Sequence, residues 1–236
     1  MEKEHLFRFH CHPGLSCFTR CCGDITIVLT PYDVLRLKNN LGISSDEFLE
    51  KHTIVVSKEK RLLPIVILKM DEGDKRCPFV TEDGCVVYPD RPWPCRMYPL
   101  NIADDGTFHL ITDSEHCKGL EETKEKKIED WLAEQAIEPY EAMNELFAGI
   151  TRPLMAQDLD IDNPDITKMT FMALYNLDRF RDFVFSSSFL NRFDVEPDRV
   201  EKIKKDDLEL LKFAVDWVKF GLFGEKLFWV KDKGPE

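Results

Sequence analysis

The run RCPFVTEDGCVVYPDRPWPCRMYP, Arg76–Pro99, decides how this chain of 236 residues is read. Three cysteines, five prolines and a glycine fall between Cys77 and Pro99. Proline removes a backbone donor and fixes φ, while glycine frees it, so no long helix or ladder runs through this segment. Little apolar periodicity is present to hold such a loop in place. The expectation is that bound metal is part of the fold here.

Outward from this loop, cysteine dominates the first half of the chain. Cys11, Cys17, Cys21, Cys22, Cys77, Cys85, Cys95 and Cys117 make eight, and none follows Cys117. An even, segregated set is either a disulfide framework or a set of metal ligands. The start, Met1-Glu2-Lys3-Glu4-His5, carries no apolar core of a signal peptide behind it, so the expected location is the reducing cytoplasm, which favours metal. Thiolate is a soft donor that selects zinc, copper(I) or iron–sulfur clusters. Paired Cys-x2-Cys knuckles, the signature of a zinc ribbon, do not occur; the first group is Cys11-x5-Cys17-x3-Cys21-Cys22. Adjacent Cys21 and Cys22 are expected to point in different directions, so that they serve two sites or one ligates while the other packs. Eight thiolates suit two four-cysteine iron–sulfur clusters, and zinc in irregular loops stays open beside that reading. Arg91 and Arg96, next to Cys95, are placed either to hydrogen bond sulfur and balance its charge, or to lie solvated or bridge to acidic helices.

Composition sets the class. Hydrophobic residues make up 43% and charged residues 32%, as in an ordinary globular protein. The net charge of −12 argues against nucleic acid or an anionic membrane as partner, and no apolar run reaches the roughly 18 residues of a membrane span. The chain changes character near residue 120. Residues 1–120 read as a cysteine-rich metal-binding module and residues 121–236 as a helical region; no Gly/Ser-rich linker separates them, so the two can form one cooperative domain. The expected fold is therefore α+β and mainly helical: a loop module with a few short strands packed on a C-terminal helical bundle.

Local signals place the elements. Thr30-Pro31-Tyr32-Asp33 is a helix start with a cap, a proline at the first position and an early acid; Gly42 ends that helix. Ser44-Ser45-Asp46-Glu47 reads as a capping box, with Ile43 and Phe48 as its hydrophobic staple. Thr53–Val56 and Pro64–Leu68 are β-branched runs read as a small sheet or hairpin. Further on, Ile128, Trp131 and Leu132 begin a helical pattern that Met143, Leu146, Phe147 and Ile150 continue. Residues 166–190 read as another helix, and Pro197 opens a third along Leu208, Leu211, Val215, Val218 and Leu222. Phe180, Phe183, Phe185, Phe189 and Phe193 read as core rather than as a ligand pocket.

The strings Cys77-Pro78-Phe79, Gly84-Cys85-x-x-Tyr88 and Arg91-Pro92-x-x-Cys95-Arg96-x-Tyr98-Pro99, following a group that ends Cys21-Cys22, carry a resemblance. They look like the YkgJ-type cysteine-cluster family, described as a zinc- or iron-chelating domain. Thr30-Pro31-x-Asp33-x-x-Arg36-Leu37 and Leu41-Gly42-Ile43 fit its helical segment, and the likeness spans roughly residues 11–119. It implies Cys17, Cys21, Cys22, Cys77, Cys85 and Cys95 as core ligands, with Cys117 closing the module. The wider gap before Cys17 leaves Cys11, or His10 and His12 beside it, to complete the set. The cysteine pattern is also similar to that of the flagellin lysine N-methylase. Three functions follow as expectations: a metal protein with an iron–sulfur cluster or zinc, an enzyme of redox or protein-lysine methyl-transfer type, and a zinc-stabilised interaction module. No P-loop, Gly-x-Gly-x-x-Gly, His-Glu-x-x-His or Gly-x-Ser-x-Gly string supports the enzyme reading further.

Overall fold

The computed structural model describes residues 1–57, 63–156 and 163–231. Among them lie ten α-helices and only short antiparallel strand pairs, an α+β fold that is mainly helical. The first two helices form as their caps dictate. Helix α1, Pro31–Leu41, has a complete capping box between Thr30 and Asp33 and ends at Gly42 with φ +65°. Helix α2, Ser45–His52, is capped by the Ser44 hydroxyl, which accepts from the Glu47 N–H. The reciprocal half of that expected box is replaced: Glu47 pairs instead with Lys51 at 2.6 Å. Strands Thr53–Val56 and Ile65–Leu68 pair as the hairpin expected. Helix α3, Trp93–Met97, is a single turn inside the cysteine loop.

The second half supplies α4 (Ile128–Glu134), α5 (Glu138–Ala156), α6 (Pro164–Tyr175), α7 (Leu177–Ser186), α8 (Phe189–Arg192), α9 (Pro197–Lys205) and α10 (Asp207–Phe223). Two helices of the periodicity reading are thus broken. The 166–190 stretch splits at Asn176, whose side chain caps the Arg179 N–H and donates to Asp46 at 2.7 Å, and again at Ser187. The Pro197 helix stops at Asp206, which accepts from the N–H groups of Leu208 and Glu209 to start α10. The apolar period runs through each break because both pieces turn the same side to the core, so periodicity alone did not reveal the caps.

Helix α10 is central: it contacts α1, α5, α6, α7 and α9. One hydrophobic core joins α1, α2 and the hairpin to these helices, with Phe180, Phe189 and Phe213 fully buried in it. The aromatic residues around Phe189, Phe193, Trp217, Phe220 and Phe228 pack edge to face with one another, as core. A second core gathers Phe7, Phe9, Met97, Leu100, Phe108, Ile128, Trp131 and Leu132. Trp93 of α3 packs against both. No helix among the described residues is long and apolar enough to cross a membrane.

Buried ion pairs join helices from the two halves. Lys38 of α1, 5% exposed, meets Asp207 of α10 at 2.9 Å and Asp178 of α7 at 3.4 Å. Asp178 in turn accepts the Ser45 N–H at 2.6 Å, so a carboxylate of α7 helps cap α2. Burial alone would raise the Asp207 carboxyl, but Arg181 and Lys38 outweigh it and hold the group down at about 2. Its unfolded counterpart titrates near about 3.9. The pairing therefore stabilises the fold fully above about pH 4, and that contribution is lost as pH falls toward 2. Asp207→Asn is expected to cost about 1–3 kcal/mol at pH 7, and to flatten the acid limb of a urea-unfolding series between about pH 4 and pH 2. A wild-type-like pH profile in the variant contradicts this.

Candidate metal centre

The cysteine loop is anchored by buried Phe79, Val87 and Met97 and by a set of polar contacts. Asp33, fully buried on α1, accepts from the Thr30 N–H at 2.8 Å and from the Trp93 N–H at 2.8 Å. One carboxylate thus caps its own helix and fixes the first residue of α3, which carries Cys95. Burial pushes this carboxyl up, opposed by those hydrogen bonds and by the charge of Arg96. Arg36 and Asn40, one and two turns further along α1, hold Asp90 in the same loop, Asn40 at 2.7 Å.

Arg96 and Arg91 face inward, and this corrects the expectation of a solvated or acidic-helix placement for both. Arg96, 3% exposed, donates to the carbonyls of Pro89, Arg91 and Gln135 and to the Tyr140 hydroxyl. Arg91 donates to the Tyr88 carbonyl at 2.7 Å and the Gln135 side chain at 2.6 Å. Neither hydrogen bonds to sulfur and neither lies in solvent or on an acidic helix. A loop this rich in proline leaves carbonyls without ladder partners, and the two guanidiniums satisfy them. Arg91 still lies within electrostatic reach of Cys85 and Cys95.

The first cysteine group sits on a turn, Arg20–Cys22, bounded by left-handed residues at Thr19 (φ 64°) and Asp24 (φ 51°). For a β-branched residue such as Thr19 that is strained backbone, retained where the surroundings enforce it. Here the turn pairs with residues 75–77: Asp24 N–H donates to Lys75 and Cys77 N–H to Cys22 at 2.8 Å. That pairing lays Cys22 beside Cys77. The tight hairpin Val80–Thr81 with Gly84–Cys85 returns Cys85 to the same place, and Gly84 there needs φ +122°.

Two sets of four sulfurs result. Cys77, Cys85 and Cys95 pack against the main core within electrostatic reach of one another and of Cys22, which also acts on Cys11. Cys11, Cys17, Cys21 and Cys117 line a cavity of about 250 Å³ with Arg20, Tyr98, Glu115 and His116. In the second set Cys17 accepts the Lys118 N–H at 3.2 Å, and the Tyr98 hydroxyl meets the Cys117 thiol. Cys21 and Cys22 are adjacent and shift each other's ionisation, so the two sets adjoin. His10 and His12 gather with Glu122 rather than with the sulfurs.

Burial raises most of these thiols: Cys11 and Cys77 are pushed up to about 11, and Cys85 and Cys95 are also raised. Cys22 is raised chiefly by its bond with Cys21, which is lowered by the same contact. Metal must therefore displace protons to bind. The donors are soft thiolates throughout, and they fit zinc or iron chemistry. Tyr98 at the cavity was not singled out as a site residue from sequence, although it stands in the quoted motif. Glu122 was missed for a plainer reason, since no pattern links it to residues 10 and 12.

No curated protein and no solved structure matches the chain. The family model CxxCxxCC, described as "Putative zinc- or iron-chelating domain", matches residues 10–131, more than half of the chain and all eight cysteines. The spacing Cys11-x5-Cys17-x3-Cys21-Cys22 is wider than the pattern in the family's own name. With those cysteines gathered into two sets behind a polar-locked loop, the chain belongs to the CxxCxxCC family of metal-chelating domains.

Proposed function

We propose that the protein carries two adjoining iron–sulfur clusters and serves redox chemistry. Cys22, Cys77, Cys85 and Cys95 would hold one, and Cys11, Cys17, Cys21 and Cys117 the other. The observation that carries this reading is sulfur spacing. No three cysteine sulfurs lie within 4.8 Å of one another among the described residues. A tetrahedral zinc ion with Zn–S bonds of about 2.3 Å holds its sulfurs only about 3.8 Å apart. A polynuclear cluster spreads its thiolates over several metal ions and accepts them from separate loops. The 250 Å³ cavity, against about 30 Å³ for one water, also suits more than a single ion.

When bound, such clusters supply one-electron transfer at potentials set by charge, hydrogen bonds and exposure. The chain's own groups have stated parts in that. Arg91 offsets thiolate charge at Cys85 and Cys95. The Lys118 N–H donates to Cys17, which favours its thiolate. Tyr98 covers Cys117. The core set is half-buried throughout, whereas the cavity set runs from exposed Cys11 to buried Cys117 and opens toward exposed Glu115 and His116. In this reading residues 1–120 form the metal module and the helices after them its support. Cysteine-ligated clusters suit a reducing compartment, and the cytoplasm is the location this reading proposes.

Anaerobic purification gives the first test. The expected product is brown, with iron and acid-labile sulfide in two clusters per chain; a colourless protein holding zinc overturns the reading. Serine variants then separate the sets. Cys85→Ser should lose about half of the iron and keep the rest, and Cys17→Ser should lose the complementary half, since each removes one thiolate ligand. Full metal occupancy in both Cys85→Ser and Cys95→Ser contradicts the assignment at its centre.

A further inference from the structure

Outside the sulfur sets, one other group of metal-ligating side chains converges among the described residues: His10, His12 and Glu122, with their ligand atoms all within 4.8 Å of one another. His10 Nδ1 lies 3.9 Å from Glu122 Oε2, and His12 Nε2 lies 3.7 Å from Glu122 Oε1. At those distances neither imidazole hydrogen bonds to the carboxylate, although both face it. The local chain explains the convergence. Residues 9–12 form no helix or turn, and in an extended run alternate side chains share a side. His10 and His12 therefore face together while Cys11, between them, turns to the sulfur cavity. The His10 N–H donates to the Gly119 carbonyl at 3.0 Å, which pins this run against the turn Lys118–Glu121 just before Glu122. Strand Leu6–Arg8, paired with Glu125–Lys127, fixes both segments from the other end.

We propose that His10, His12 and Glu122 bind one divalent transition-metal ion, of the zinc or ferrous class, at a site separate from the cysteines. Two imidazoles and a carboxylate are the donor set of catalytic zinc and of open-sided ferrous sites. An ion with metal–nitrogen and metal–oxygen bonds of about 2.1 Å draws neighbouring ligand atoms to about 3.4 Å, a few tenths inside the two histidine–glutamate separations. Three protein ligands leave a coordination position open, and half-exposed His10 lets an ion and a small ligand reach it. His12 Nδ1 accepts the Gly14 N–H at 3.2 Å, so the neutral ring carries its proton on Nε2. Loading the ion moves that proton to Nδ1 and releases this exposed contact, with no net proton lost. Because Cys11 lies between the two histidines and Glu122 follows Cys117 by five residues, an ion here sits beside the cavity set.

The proposal rests on no part of the cluster reading, and its test separates the two. The full chain, anaerobically prepared with its sulfur-bound metal in place, is titrated with Co2+. The expected result is one further Co2+ per chain, with the weak visible absorption of nitrogen and oxygen ligands, displaced by Zn2+. His12→Gln and Glu122→Gln should each weaken this binding at least about 10-fold, with iron, sulfide and far-ultraviolet circular dichroism unchanged. The proposal is overturned if the wild-type chain takes up no further Co2+. It is equally overturned if the bound Co2+ shows thiolate charge-transfer bands, or if both variants bind as the wild type does. Loss of the extra Co2+ site in the variants of a chain that lacks iron would sink the cluster reading and leave this one standing.

Discussion

The carboxylate of Asp33 is buried without solvent and accepts from Thr30 on its own helix and from the Trp93 N–H across the loop. A buried carboxylate without such donors would cost several kcal/mol, so the contact is strongly specified once α1 forms. Around it, Arg96 completes a lock: its guanidinium joins the carbonyls of Pro89, Arg91 and Gln135 and lies over the Tyr140 ring at 4.2 Å. These groups reach from α1 through the proline-rich loop to the link between α4 and α5. Everything that follows for sulfur depends on this. Cys95 occupies the middle of the turn whose ends Asp33 and Arg96 hold.

From that fixed point the remaining thiols are brought in by backbone pairing. Residues 22–24 lie against 75–77, and the Gly84 turn folds Cys85 back. The outcome is two sets that touch at one peptide, Cys21–Cys22. Thiolates this close repel unless cations share the charge. Arg91 and Arg76 are the protein's own contributions near Cys85 and Cys22, and bound metal supplies the rest. In the metal-free chain the same repulsion adds to burial in raising Cys11, Cys77, Cys85 and Cys95.

Legibility in the sequence followed the range of the forces involved. Caps act within four residues, so Thr30, Asp33 and Gly42 announced α1, and the β-branched runs announced the hairpin. The split at Asn176 was hidden because its partner, Asp46, lies far away in the chain. The cysteine strings exposed the metal chemistry, and the adjacency of Cys21 and Cys22 hinted at two sets. What Arg91 and Arg96 do was unreadable, since their partners are main-chain carbonyls and sequence records no carbonyl's need. The convergence of His10 and His12 with Glu122 was equally out of reach, because it is made by the pairing of the first strand with residues 125–127.

The central claim is that two thiolate-bound clusters adjoin across the Cys21–Cys22 peptide. Electron paramagnetic resonance of the anaerobically purified, dithionite-reduced protein tests it most directly. Two paramagnets so close must couple, so the account predicts a broadened, split spectrum from interacting reduced clusters that simplifies when one set loses a cysteine. A single sharp signal from one isolated cluster, or no signal from a protein full of zinc, would contradict it.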